Sequence, residues 1–142
     1  MALSADRNTP RRQGDILSGG VAASTKVFAG ALVMRNAAGY LTKGAAATGA
    51  VGVGRAEEQV DNSAGSAGDA VLRYRPGTFR FKNSGSADAI TIAEIGDKCF
   101  VVDDETVAKT DGSSSRSPAG IVEDVDAQGV WVRFDEALTL SR

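Results

Sequence analysis

Between residues 124 and 135, oxygen-bearing side chains fall at the spacing of a calcium-binding loop. Asp124, Asp126 and Gln128 take positions 1, 3 and 5, Gly129 takes position 6, and Asp135 falls at position 12. A loop of the EF-hand type wants oxygen ligands there, a glycine at 6 and a bidentate Glu at 12. Here the twelfth side chain is one methylene short, and no amphipathic helix flanks the stretch. Residues 130–134 also alternate as a strand, with Val130, Val132 and Phe134 one way and Trp131 and Arg133 the other. A strand rises ~3.3 Å per residue and would carry Asp135 away from an ion held at the turn. The better expectation is a hairpin turning at 126–129, with Val125 opposite Val130 and Ile121 opposite Phe134.

Other chemistry-bearing residues lead to similar readings. Asp103 and Asp104 are adjacent carboxylates, but neighbours on a strand point to opposite faces, so they do not converge on one substrate. Acidic residues in a bend are ordinary turn formers. The stretch "GVGRAE", Gly52 to Glu57, contains G-x-G without the third glycine or the helix of a phosphate loop. It reads as a strand whose glycines let another backbone pack close. The chain has no His and one Cys, Cys99. That removes the usual general base of Ser and Cys hydrolases and the commonest ligand of a zinc site. A single Cys also forms no internal disulfide, and Cys99 reads as a small core hydrophobe.

Two groups of cations remain as candidate contacts. Arg73, Arg75, Arg80 and Lys82 lie in "AVLRYRPGTFRFKN", whose alternation and "PG" predict a hairpin that gathers them. That hairpin is either a solvated face or a docking surface for an acidic protein. Arg7, Arg11 and Arg12 lie in residues 1–20, a polar stretch ending in "SGG" that reads as an extended arm.

These residues must be positioned by short strands. Val27–Phe28, 31–34 and 40–42 are separated by the turn "NAAG", and 51–56 follows with Val51 and Val53 on one face. "DNSAGSAGD" is a small-residue loop, "KCFVVDDETVAKT" a hairpin bending at "DDE", and 121–134 the closing pair. "TIAEIG" is the one helical turn expected, from the capping-box spacing of Thr91 and Glu94. Strands at such spacing with no long helical pattern imply an all-β fold, a small barrel or sandwich of short antiparallel strands.

Composition limits the rest. The 142 residues suit one domain, with the arm at 1–20 and a β-rich body at 21–142. Large apolar side chains are sparse and glycines number 17, so stability from a partner or from oligomerisation is expected. Net charge is −2 with no basic tract, which argues against a nucleic-acid partner. No apolar run approaches the ~18 residues of a membrane span, and the first residues lack the apolar segment of a secretory leader.

The order of elements is similar to a known family. "STKVFAGALVMRNAAGYL", "VGVGRAEEQVDNS", "GDAVLRYRPGTFRFKNSGS", "IAEIGDKCFVVDDETVAKT" and "AGIVEDVDAQGVWVRF" resemble the capsid decoration, or cement, proteins of tailed bacteriophages. The resemblance runs from about Ser24 to Phe134 and rests on structural motifs. It implies a structural virion protein and no enzyme, bound to the outer surface of the mature shell and holding no cofactor. Its expected partners are the major capsid protein and two further copies of itself in a homotrimer, with neither nucleic acid nor membrane. The expected contact residues come from the arm and the basic hairpin, not from the resemblance: Arg7, Arg11, Arg12, Arg73, Arg75 and Arg80. The alternative is another β-rich virion module, from a tail, baseplate or receptor-binding domain.

Overall fold

The computed structural model describes residues 1–142. Twelve strands follow in chain order: β1 Leu17–Gly20, β2 Thr25–Val27, β3 Leu32–Arg35, β4 Leu41–Lys43, β5 Val51–Ala56, β6 Val60–Asn62, β7 Val71–Arg75, β8 Gly77–Asn83, β9 Lys98–Val101, β10 Thr106–Ala108, β11 Pro118–Asp126 and β12 Gly129–Phe134. One helix, α1, spans Glu136–Ser141, and 3₁₀ turns form at Ser86–Asp88 and Ile92–Glu94. The fold is all-β. Strands β10-β8-β12-β11-β9 close into a barrel, β1-β7-β5-β3-β4 form an open sheet, and β2 and β6 pair as a ribbon.

Alternation along β3 and β5 explains how barrel and sheet meet. In β3, Leu32 and Met34 point into the barrel core with Phe81, Val130 and Val132, while Val33 points the other way. In β5, Val51 and Val53 join Val33, Leu41, Leu72 and Tyr74 in the second core. The opposite face of β5 is glycine, and there backbone replaces side chain. A Cβ on Gly52 would lie 2.2 Å from the Ala119 carbonyl oxygen, and one on Gly54 2.2 Å from that of Arg75. The glycines of "GVG" therefore serve close backbone approach, as the sequence implied. Burial of a side chain such as Leu72, which is fully enclosed, contributes about 2–3 kcal/mol. Phe134 meets Phe81 edge-on at 5.7 Å and Phe79 at 6.3 Å, a geometry aromatic rings favour.

Local chemistry sets the turns. The Asn36 carboxamide oxygen accepts from the Ala38 and Tyr40 N–H groups, fixing "NAAG". The Thr91 and Glu94 capping box forms, around a single 3₁₀ turn. β9 and β10 make the expected hairpin. Cys99 is fully buried in the barrel core, and burial pushes its thiol up to about 12.

Five expectations need correction. β7 and β8 are not a hairpin: β7 pairs with β1 and β5, and β8 with β12 and β10. Only Pro76 separates them, too little chain to reverse direction, so the chain steps from open sheet to barrel there. The barrel also contains one parallel pairing, Thr106 with Lys82 and Val107 with Asn83, so its strands are not all antiparallel. In the closing hairpin Val125 does oppose Val130, but Ile121 faces Arg133 instead of Phe134. The register slips between Val122 and Asp124, where Glu123 is the extra residue of a bulge. The arm is shorter than residues 1–20, because Leu17–Gly20 pair with β7. Finally, the one helical turn expected is joined by two more helical elements, the 3₁₀ turn at Ser86–Asp88 and α1, which is capped by the Asp135 carboxylate accepting from Leu138 N–H. The Arg35–Glu136 ion pair and a hydrogen bond from Arg142 to the Gly96 carbonyl dock it.

Candidate functional site

Residues 1–16 carry no helix or strand, and each of them is exposed. The arm is rooted at β1, and Asp15 approaches Arg75 at 3.7 Å. Arg7 donates to the Thr9 hydroxyl at 3.2 Å, while Arg11 and Arg12 make no ion pair. The apolar Met1 and Leu3 stand in solvent at the far end.

The remaining candidate contacts are divided between the two sheets. Arg73, on the outer face of β7, forms a two-pronged pair with Glu58 at 2.9 and 3.1 Å. Arg75 donates to Glu57 at 3.1 Å, and Arg55 donates to the same oxygen at 2.7 Å. Arg55 also lies 4.3 Å over the Phe79 ring, which ties the open sheet to the barrel. Arg80 sits on the barrel wall, donates to Gln128 at 2.7 Å and covers Trp131 at 5.5 Å. Lys82 pairs with Glu105 at 2.8 Å. The expected basic face is thus taken apart by topology: Arg73, Arg75 and Lys82 are matched by local carboxylates, and Arg80 by the Gln128 amide and the Trp131 ring.

The calcium-like stretch is a hairpin whose oxygens are already engaged. Asp126 accepts from the Gln128 and Gly129 N–H groups and from the Trp131 indole at 3.0 Å. That indole N–H, with the backbone donors and the nearby Arg80 charge, holds the Asp126 carboxyl below its usual range. Asp135 lies at the far end of β12 and caps α1. Millimolar calcium should therefore leave Trp131 fluorescence unchanged. An emission shift that saturates with calcium would mean that the indole–carboxylate contact opens to admit the ion.

Asp103 and Asp104 lie in the β9–β10 bend. One Asp103 oxygen accepts from Glu105 N–H, and the Asp104 carbonyl accepts from Leu32 N–H. Neither carboxylate has an ion-pair partner. Beside them Phe28, Ala29, Gly30 and Ala31 complete a cleft of about 220 Å³ with Asp104 and Glu105. Phe28 is 52% exposed although Val27 beside it is fully buried. No local pattern marks this cleft, since its walls lie more than seventy residues apart and only the topology joins them. A second cleft, between α1 and the open sheet, is lined by Arg35, Ala50, Val51, Pro118, Glu136 and Leu140 among others.

Several carboxyls titrate below their usual range: Glu57 beside Arg55 and Arg75, Asp88 held by Thr110 and Arg116, and Glu94 held by Thr91 and Lys109. A depressed carboxyl stabilises the fold above its unfolded value and loses that contribution as pH falls through the lower folded value. With unfolded values of 3.8 to 4.5, the urea midpoint should hold from pH 7 to about pH 5 and decline below pH 4.5. A midpoint that rises on acidification would contradict these pairings.

Comparison with protein-family models, with curated proteins and with solved structures finds no match to this chain.

Proposed function

We propose that this chain is a structural virion protein. It binds the outer surface of a mature tailed-phage shell, bridges neighbouring capsomers and stabilises the shell as a homotrimer. Its partners are the major capsid protein and its own sister copies, and it performs no catalysis. The observation that carries this reading is the sixteen-residue exposed arm anchored by a strand to a firmly knit β body. In that body Arg73, Arg75, Arg80 and Lys82 are occupied by side chains of the same chain. What remains to offer a partner is the arm and the uncovered surface. The resemblance to decoration proteins from about Ser24 to Phe134 supports the same reading. Many copies, each binding modestly, would add up to a firm clamp through multivalency.

The test is the copy number of this chain relative to the major shell protein in purified particles, measured by quantitative mass spectrometry. A number comparable to the shell protein is the expected result. A small fraction of it would overturn decoration in favour of a tail or baseplate module, and absence would reject a virion role.

A further inference from the structure

The root of the arm and the cleft at Phe28 share one end of the open sheet. Leu17 pairs with Tyr74, Tyr74 pairs with Ala56, and the Ala56 carbonyl accepts from Gly30 N–H. The cleft is unequal in charge. Asp103, Asp104 and Glu105 line or flank it, and Glu105 alone has a cation, Lys82. Lys26, 5.0 Å from the Phe28 ring centroid, lies near Asp61. Counting Asp61, Asp103, Asp104 and Glu105 against Lys26 and Lys82 leaves two negative charges in excess. Asp104 is half-buried, with no side-chain hydrogen bond or ion pair. Beside it stands an aromatic ring open to solvent. A carboxylate next to an exposed ring is a recognition pattern for a guanidinium, which can pair with the first and stack on the second.

The arm carries the complementary groups in Arg11 and Arg12, exposed and unpaired. Within one copy, the Asp104 carboxylate and the Arg11 and Arg12 guanidinium groups are left without ion-pair partners, although the arm starts from the same end of the sheet. We propose that the Arg11–Arg12 segment of one copy docks in the Phe28–Asp104 cleft of a second copy. Adjacent residues of an extended segment point to opposite sides, so one guanidinium enters the cleft and the other stays outside. The contact is head-to-tail, and such contacts close into rings when the rotation permits. The inference rests on the trimer reading above and gives it a specific contact.

Sedimentation velocity of the full-length protein without shells, at low salt and over rising concentration, tests it. Wild type should self-associate, and R11E/R12E should do so at least about tenfold more weakly, as like charges meet at the cleft. D104K/E105K should weaken association similarly. An equimolar mixture of the two variants should recover it in part, because a Glu arm then meets a Lys cleft and an Arg arm a native one at two of the three contacts of a ring. R11E/R12E alters only exposed residues outside strands and helices, so it decides the matter even if the cleft variant folds poorly, with Phe28→Ala as a second cleft variant. Unchanged association of R11E/R12E, a wild type that stays monomeric throughout, or no recovery on mixing two folded variants would overturn the proposal. Occupancy on shells is scored separately by copy number, so decoration can stand if this contact fails.

Discussion

Replacing Gly52 by valine should lower the melting temperature by more than about 10 °C, read by circular dichroism or calorimetry. A Cβ at this position would sit 2.2 Å from the Ala119 carbonyl oxygen and 2.8 Å from its carbon, both backbone atoms of β11. No rotamer relieves that contact, because the clash is with the Cβ itself. The sheets must separate, which pulls Leu32 and Met34 of β3 from the barrel core they share with Phe81 and Val132. Such overpacking against a fixed wall costs about 3 kcal/mol or more, and each kcal/mol shifts the midpoint by roughly 3–4 °C for a chain of this size. Gly85→Ala is the control, because a Cβ there meets open space. A fall of only a degree or two in G52V would show that β5 and β11 do not pack backbone against backbone.

Deleting residues 2–14 should leave the melting temperature within about 2 °C of wild type and reduce occupancy on purified mature shells at least tenfold. The first half follows from burial: each deleted residue is exposed and none belongs to a strand or helix. Surface changes away from structural features stay within about 0.5 kcal/mol. The second half follows from the proposed role, in which the arm supplies contacts that the ion-paired body does not. The endpoint of the deletion matters. Carrying it to residue 18 would remove Leu17, which packs against the second core, and would confound binding with folding. Equal shell occupancy for the truncated and full-length proteins would remove the arm from the mechanism.

Much of the fold was legible because its determinants are local. Alternation placed Val130, Val132 and Phe134 inward, the Val-Gly repeat of β5 marked a strand with one bare face, and Asn36 marked its turn. The capping box at Thr91 forms as its spacing implies, and Cys99 lies in the core as a small hydrophobe. The failures share one cause, that pairing partners are chosen over long range. The apolar positions of "VLRYRPGTFRF" change phase from Leu72 and Tyr74 to Phe79 and Phe81, but "PG" at the join reads equally as a hairpin turn, so nothing local shows that Arg75 and Gly77 belong to different sheets. The bulge at Glu123 shows in the sequence only as Val122 and Val125, two core-facing valines three apart, and it moves Ile121 from Phe134 to Arg133. The parallel closure of β8 on β10 joins segments more than twenty residues apart. Helix α1 had a signal that was assigned elsewhere. Asp135 followed by Glu136 is an N-cap with an acidic first turn, but the same Asp135 also fits the twelfth position of a calcium loop. The candidate site was less legible than the fold. The arm is readable as composition, whereas the cleft exists only because the β9–β10 bend lands beside residues 28–31.

The curling of the open sheet has a consequence for solubility. Its two outer strands nearly meet, since Val21, next after β1, bridges Leu41 of β4 and Ala22 N–H binds the Leu41 carbonyl at 2.8 Å. The barrel beside it is closed outright. Unpaired strand margins are where one β protein adds to another and grows into fibres. A chain made in large amounts and then crowded on a surface would meet its own copies constantly. Tying β1 to β4 and closing the barrel narrows the route to amyloid-like growth to the short β2–β6 ribbon, whose strands are three residues each.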